Sequence, residues 1–147
     1  YVLPVPFFAN SAQDREILLA QRGVREVFEL GAKADLLLVG IGTARPDAQL
    51  VASRMIEPQE IAEVGANGGV GEMLGHFFDR HGKPVHTTLS ARTLAPELST
   101  ILKRRVVAIA GGEAKEKAIL SILRSGYLSG LITEERTARS MLQPELD

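Results

Sequence analysis

Near the start of the chain, Ile17, Leu18, Val24, Val27, Phe28 and Leu30 recur at near-helical spacing behind Ser11 and Asp14. Ser11 can cap a helix there, with Asp14 at the third helical position in a variant of the capping box. Gly23 predicts a break between two helical pieces. The pattern then changes: Asp35-Leu36-Leu37-Leu38-Val39-Gly40 is a short, continuous apolar run ending in glycine. Such a run fits a parallel strand buried on both faces. Residues 40–52 read as a loop, and Pro58-Gln59-Glu60-Ile61 starts a helix with Pro at a permitted first-turn position.

Residues 65–71 are glycine-rich and lead into Glu72-Met73-Leu74-Gly75-His76-Phe77-Phe78-Asp79. A turn over 80–83, containing His81-Gly82, precedes an extended stretch over 84–89. Arg105-Val106-Val107-Ala108-Ile109-Ala110 repeats the buried-strand pattern and stops at Gly111-Gly112. A helix with Ala118, Ile119, Ile122 and Leu123 on one face follows and ends at Gly126. Residues 128–133 form a third strand candidate, and Thr133 can cap a last helix over 134–142. Strands alternating with helices at this spacing predict an α/β fold with a mostly parallel sheet flanked by helices.

Composition narrows the function. The chain of 147 residues fits one domain, or most of one, and 45% hydrophobic residues suffice for a core. With 17 Lys and Arg against 18 Asp and Glu, no global basic field is present to hold nucleic acid. The count of Cys is 0, which removes disulfides, thiolate catalysis and zinc-thiolate sites and fits a cytoplasmic protein. No apolar run approaches the ~20 residues that cross a bilayer, so no membrane role is expected. The opening Tyr1-Val2-Leu3-Pro4-Val5-Pro6 starts as if in mid-strand, without Met or a signal-peptide pattern. Together with the low strand count it predicts a fragment whose N-terminal part is missing.

In an open α/β sheet, ligands bind beyond the carboxyl ends of the strands. Gly40-Ile41-Gly42-Thr43 follows one such strand; Gly111-Gly112-Glu113-Ala114-Lys115 follows another and opens a helix. Glycine admits a ligand close to the backbone, and the helix start favours an anion. Lys115 sits where a cation opposes the helix dipole, a local conflict that ligand binding would explain. The plainer readings are a turn glycine in each motif and a solvated lysine. Glu72 is either an acceptor for sugar hydroxyls or an exposed acid at a helix start. His76, His81 and His86 lack a carboxylate or Cys at ligand spacing, so no metal site is expected. Neither a P-loop nor a G-x-S-x-G elbow is present. Lys103-Arg104-Arg105 is too short a basic cluster to claim DNA.

At these motifs the sequence resembles the effector-binding domain of the SorC family of bacterial sugar-responsive transcriptional regulators. The resemblance runs in order through Tyr1-Val2-Leu3-Pro4-Val5-Pro6-Phe7-Phe8, the strand Ala34 to Gly42, Gly69-Val70-Gly71-Glu72 onward to Asp79, Val107 to Ile119, and Leu131-Ile132-Thr133-Glu134-Glu135. It implies a parallel α/β fold like that of ribose-5-phosphate isomerase and glucosamine-6-phosphate deaminase. It also implies a homo-oligomer and a sugar or phosphorylated sugar as effector; no cofactor is expected. By it, Lys115 matches a lysine that contacts the effector, and Glu72 stands where members carry Asp or Glu for ligand hydroxyls. Family members carry an N-terminal helix-turn-helix and an early glycine/threonine phosphate loop, and neither occurs in this sequence. Residues 1–147 are therefore expected to be the larger C-terminal portion of an effector domain, with operator DNA read elsewhere in the parent protein.

The leading expectation is a non-enzymatic effector-binding and oligomerisation domain with Gly40, Gly42, Thr43, Glu72, Gly111, Gly112 and Lys115 at its site. The alternative is a sugar-phosphate isomerase or deaminase with Glu72 as base and Lys115 as electrostatic stabiliser. A nucleotide-binding module is disfavoured by the absent G-x-G-x-x-G.

Overall fold

A computed structural model describes residues 2–142. Helices α1 (Ala12–Ala20) and α2 (Arg22–Ala32) come first. The Asp14 amide donates to Ser11 Oγ at 3.0 Å, so the expected cap is in place. The break between the helices lies at Gln21, whose ψ is 132°, and Gly23 sits inside the first turn of α2. Next come β1 (Leu36–Val39), β2 (Gly42–Thr43), the single turn α3 (Gln49–Ala52) and α4 (Pro58–Ala66). The stretch expected as a plain loop over 40–52 thus contains a strand and a helical turn.

Strands β3 (Gly69–Met73), β4 (His76–Asp79) and β5 (Pro84–Val85) follow, then short helices α5 (Thr88–Ala91) and α6 (Leu98–Ile101). The extended stretch expected over 84–89 ends early because Thr87 caps α5, its side chain accepting from the Ser90 amide. The chain continues through β6 (Arg105–Ile109), a 3-10 turn (Glu113–Lys115), α7 (Glu116–Arg124), β7 (Gly130–Ile132) and α8 (Glu135–Leu142). The expected cap on the last helix does not form: Thr133 Oγ1 is buried without a partner.

Two sheets carry the strands. The parallel sheet has the order β1-β6-β7, with Val39 opposite Ala108 and Ile109 opposite Ile132. A second sheet, β2-β3-β4-β5, is antiparallel throughout. It grows from the glycine-rich stretch, where Leu74 (φ 52°) and Gly75 (φ 81°) form the two-residue turn of the β3–β4 hairpin. Positive φ at both positions is what a type I′ turn requires, at a cost of about 1 kcal/mol for Leu74.

Helix α7 lies between the sheets. Its Ala118, Ile119 and Ile122 join Val39, Val106, Ala108, Met73 and Phe78 in one buried cluster. Full burial of an isoleucine side chain contributes about 1.5–3 kcal/mol before packing losses. On the other face of the antiparallel sheet, Phe77 and Val85 pack with Ile61, Val64 and Leu89. Adjacent Phe77 and Phe78 point to opposite faces, as strand geometry dictates, so that sheet is covered on both sides.

The parallel sheet is not. Leu38 is 62% exposed, Ile109 54% and Ile132 56%. These residues share one face, while Val39, Val106 and Ala108 pack on the other. The expectation of strands buried on both faces is corrected here: among the described residues, only one face of β1 and β6 has a covering layer.

Candidate functional site

The carboxyl ends of the neighbouring strands β1 and β6 deliver the two glycine motifs side by side. Gly40 and Gly111 are exposed, while Gly42, Thr43, Gly112 and Lys115 are half-buried around them. The Gly112 amide donates to Thr137 Oγ1 at 2.9 Å, and Thr137 Oγ1 donates to Glu134 Oε1 at 2.8 Å. The start of α8 therefore braces the second glycine turn. The Lys115 amide closes the 3-10 turn on the Gly112 carbonyl at 2.9 Å.

Lys115 is not simply a solvated side chain. Its Nζ donates to the Ile41 carbonyl at 3.0 Å, across 74 residues of sequence. That bond joins the loop after β6 to the loop after β1, a contact no local pattern signals.

Glu72 lies in β3 directly opposite Gly42 of β2, so it is not an acid at a helix start. Its Oε1 accepts from the Gly75 amide at 2.6 Å. Burial pushes its carboxyl above the usual carboxylate range, although the Gly75 N–H and the Lys115 ammonium both favour the charged form. Glu72 and Lys115 thus both meet the Ile41-Gly42 segment, one across the strand from Gly42 and the other at the Ile41 carbonyl. Among the described residues neither belongs to an ion pair; each leans on a backbone group instead. A carboxylate that accepts hydroxyl hydrogen bonds and an ammonium that donates to an anion can hold a small polar molecule between them.

The structure brings Gly42, Glu72 and Lys115 together, with Gly40, Gly111 and Gly112 in the adjoining turns, whereas Thr43, next along β2 and opposite Gly71, faces the other side of the sheet from Glu72. It adds three groups that sequence reasoning missed: the Ile41 carbonyl, the Gly75 amide and the Thr137 hydroxyl. Only Gly75 had a signal, as the turn glycine between two short apolar runs.

A cavity of about 640 Å³ opens beside the second glycine turn, lined by Glu113, Glu134, Glu135, Arg136, Arg139 and Ser140. Two others lie away from the glycine turns. A groove of about 530 Å³, lined by Phe7, Val27, Phe28, Leu37, Leu94 and others, separates α2 from the body of the fold. A cleft of about 380 Å³ runs beside His76. Two of the groups facing that cleft are already engaged: His76 Nε2 bonds the Pro96 carbonyl at 2.7 Å and Arg15 Nε donates to the Thr93 carbonyl at 2.8 Å. Burial holds the His76 imidazole below its ordinary pKa. His81 instead accepts from Arg80 Nε at 3.0 Å in the exposed turn. Among the described residues, no cluster of His, Asp and Glu could hold a metal ion, and no helix is long and apolar enough to cross a membrane.

A family model described as "Putative sugar-binding domain" matches residues 1–143. The chain is 55% identical to the erythritol catabolism regulatory protein EryD of Brucella abortus over 142 residues, 97% of this chain and 45% of that protein. It is 37% identical to the transcriptional regulator LsrR of Klebsiella pneumoniae, over 96% of this chain and 45% of that protein. The chain thus spans about half the length of the curated relatives it matches. The full-length sorbitol operon regulator SorC of Klebsiella pneumoniae superposes with a TM-score of 0.88 at 25% identity, over 97% of this chain and 47% of that one. A DeoR family regulator from Listeria monocytogenes, with a TM-score of 0.90 and 23% identity, has the same fold, matched over 97% of this chain and 58% of that one. The chain belongs to the sugar-binding domain family found in SorC-type transcriptional regulators.

Proposed function

We propose that this chain is the effector-binding part of a cytoplasmic bacterial regulator, and that Glu72 and Lys115 grip a small polyol or its phosphate. The observation that carries the reading is the pair itself. A half-buried carboxylate and a half-buried ammonium meet the Ile41-Gly42 segment at the strand ends without pairing directly. Glu72 takes effector hydroxyls. Lys115 takes an anionic group, helped by the Gly111-Gly112 turn and the helical start behind it. Gly40 completes the rim, and Thr43 contributes through its backbone. The 55% identity with a regulator named for erythritol catabolism supports a four-carbon polyol or its phosphate as the effector of this chain.

The role is binding rather than turnover. Homologues named as regulators support it, and the effector acts through a difference in affinity for two states of the parent protein. DNA reading and the homo-oligomeric assembly are assigned to the intact polypeptide, with residues 1–147 as the larger part of its effector domain. The test is calorimetry and thermal melting of the intact polypeptide with erythritol, erythritol 4-phosphate, ribose 5-phosphate and inorganic phosphate. A ligand specific for the folded state raises the melting temperature. No heat and no shift with any of the four at millimolar concentration would overturn the reading. Chemical conversion of a probe would move it to the isomerase or deaminase alternative.

A further inference from the structure

Gly42 occupies a strand, where glycine is a poor choice because it contributes no packing and loses much conformational freedom. Its φ is not in the left-handed region, so backbone conformation does not demand it. What surrounds it does. A Cβ built at position 42 would stand 2.6 Å from Glu72 Oε2, 3.5 Å from Glu72 Cβ and 3.7 Å from Glu72 Cδ, and these are its three nearest atoms. The Glu72 side chain lies back over the bare Cα of its cross-strand partner. By contrast, a Cβ on Gly40 would meet nothing within 4 Å, and one on Gly71 would meet the Ala118 backbone at 2.9 Å. Gly40 is free of the fold and Gly71 is demanded by helix packing, whereas Gly42 is demanded by one side chain.

The other end of the same carboxylate is fixed from the hairpin turn, through the 2.6 Å bond from the Gly75 amide to Oε1. The group is therefore bracketed, by a donor on one oxygen and by an absent side chain under the other. We infer that Gly42 is a positioning residue which sets where the Glu72 carboxylate stands, and through it the selectivity for effector hydroxyls. This rests on Glu72 being an effector ligand, as proposed above. Any side chain at 42 would drive the carboxylate off the strand and into the space open to the effector. Because the displaced atoms are the end of a flexible side chain, the sheet itself would survive.

The test is a double-mutant cycle in the intact polypeptide, with erythritol and erythritol 4-phosphate as probes. Gly42→Ala should weaken binding tenfold or more while the melting temperature stays level or rises. In a Glu72→Ala background the same change should have no further effect. In a Glu72→Asp background, where the carboxylate is withdrawn by one methylene, Gly42→Ala should again cost little. Additive losses in these backgrounds would overturn the inference. If Glu72→Ala itself binds both probes as wild type does, the functional reading of Glu72 falls instead. A readout free of probes is the Glu72 carboxyl carbon in an NMR pH titration. Gly42→Ala should move both its chemical shift and its midpoint, and an unmoved titration would overturn the inference without any ligand.

Discussion

Replacing Lys115 by Met keeps the aliphatic stem and removes the charge, and its consequences can be worked out for three observables. The Nζ bond to the Ile41 carbonyl, 3.0 Å long and part-buried, is lost. A typical intramolecular hydrogen bond contributes about 1 kcal/mol net, so the fold should weaken by roughly that amount. For the effector, a hydrogen bond to a charged group is worth about 1.5–3 kcal/mol, which is roughly a 10- to 150-fold loss of affinity. A phosphorylated polyol should suffer more than the free polyol, because Lys115 is assigned to the anion. Thirdly, the Lys115 ammonium now favours the charged Glu72, so its removal should raise the Glu72 titration further. Calorimetry with erythritol and erythritol 4-phosphate, thermal melts and the NMR titration read these separately. Unchanged affinity for both probes together with an unmoved Glu72 would show Lys115 to be a solvated helix-start residue, and the site assignment would fail with it.

The Glu72→Gln variant should bind polyols poorly and yet melt higher at neutral pH. A carboxyl raised in the fold contributes stability that is full at low pH and lost as pH rises through its folded value, and Gln removes that slope. Melting curves from pH 4 to 8 that run parallel for wild type and variant would refute this. The Arg92→Ala variant should lose about 3 kcal/mol, the low end for breaking a buried pair, since Arg92 and Glu60 keep 16% and 21% of their side chains exposed. It forfeits the fork to Glu60, the bond to the Ala9 carbonyl and the contact with the Phe8 ring. Burial raises the Glu60 carboxyl, but the Arg92 bonds and the Glu57 amide outweigh it and leave it low. The contribution of that pair is therefore present above the unfolded carboxyl pKa and fades only as pH falls through the lowered value, and denaturant titrations at pH 3 and 7 check it. Finally, Gly82→Ala should cost about 2–4 kcal/mol, combining left-handed strain with overpacking against the Arg124 and Ser125 backbone, where the new Cβ would stand 2.5 Å from Arg124 C and 2.7 Å from Ser125 Cα. Its control, Gly126→Ala, has the same strain in open space and should cost about 1 kcal/mol in the same urea titration.

The parts of this fold legible in sequence are those built from local signals. The unit from β6 through Gly111-Gly112 into α7 is one, since a strand, its glycine stop and the amphipathic helix behind it are contiguous. The cap at Ser11 is another. The antiparallel sheet was not legible, because its hairpin turns on a leucine with positive φ, and Leu74 in an apolar run carries no turn signal. The second face of β1 misled for a related reason: an unbroken run of leucines states a preference for burial, and cannot say whether a layer is there to satisfy it. At the site, residue types were legible and their relations were not. Lys115 and Glu72 stood out as charges beside glycines, but the Lys115–Ile41 bond and the fit of Glu72 over Gly42 are made by chain segments that meet only when folded.

The two halves of the site differ in how firmly they are held. Lys115 follows β6, the central strand of its sheet, whose Val106 and Ala108 are 0% exposed, and is continued by α7 in the core. Gly40 and Ile41 follow β1, which among the described residues pairs with β6 alone and leaves Leu36 and Leu38 45% and 62% exposed. Within residues 1–147 a strand so placed opens more readily than a central one, and its amides exchange hydrogen with water sooner. The lysine is thus an anchor, and the Ile41-Gly42 segment that it holds is the compliant jaw. An effector closing between them quiets the jaw and scarcely touches the anchor, so the imprint of binding should be written in the exchange rates of β1.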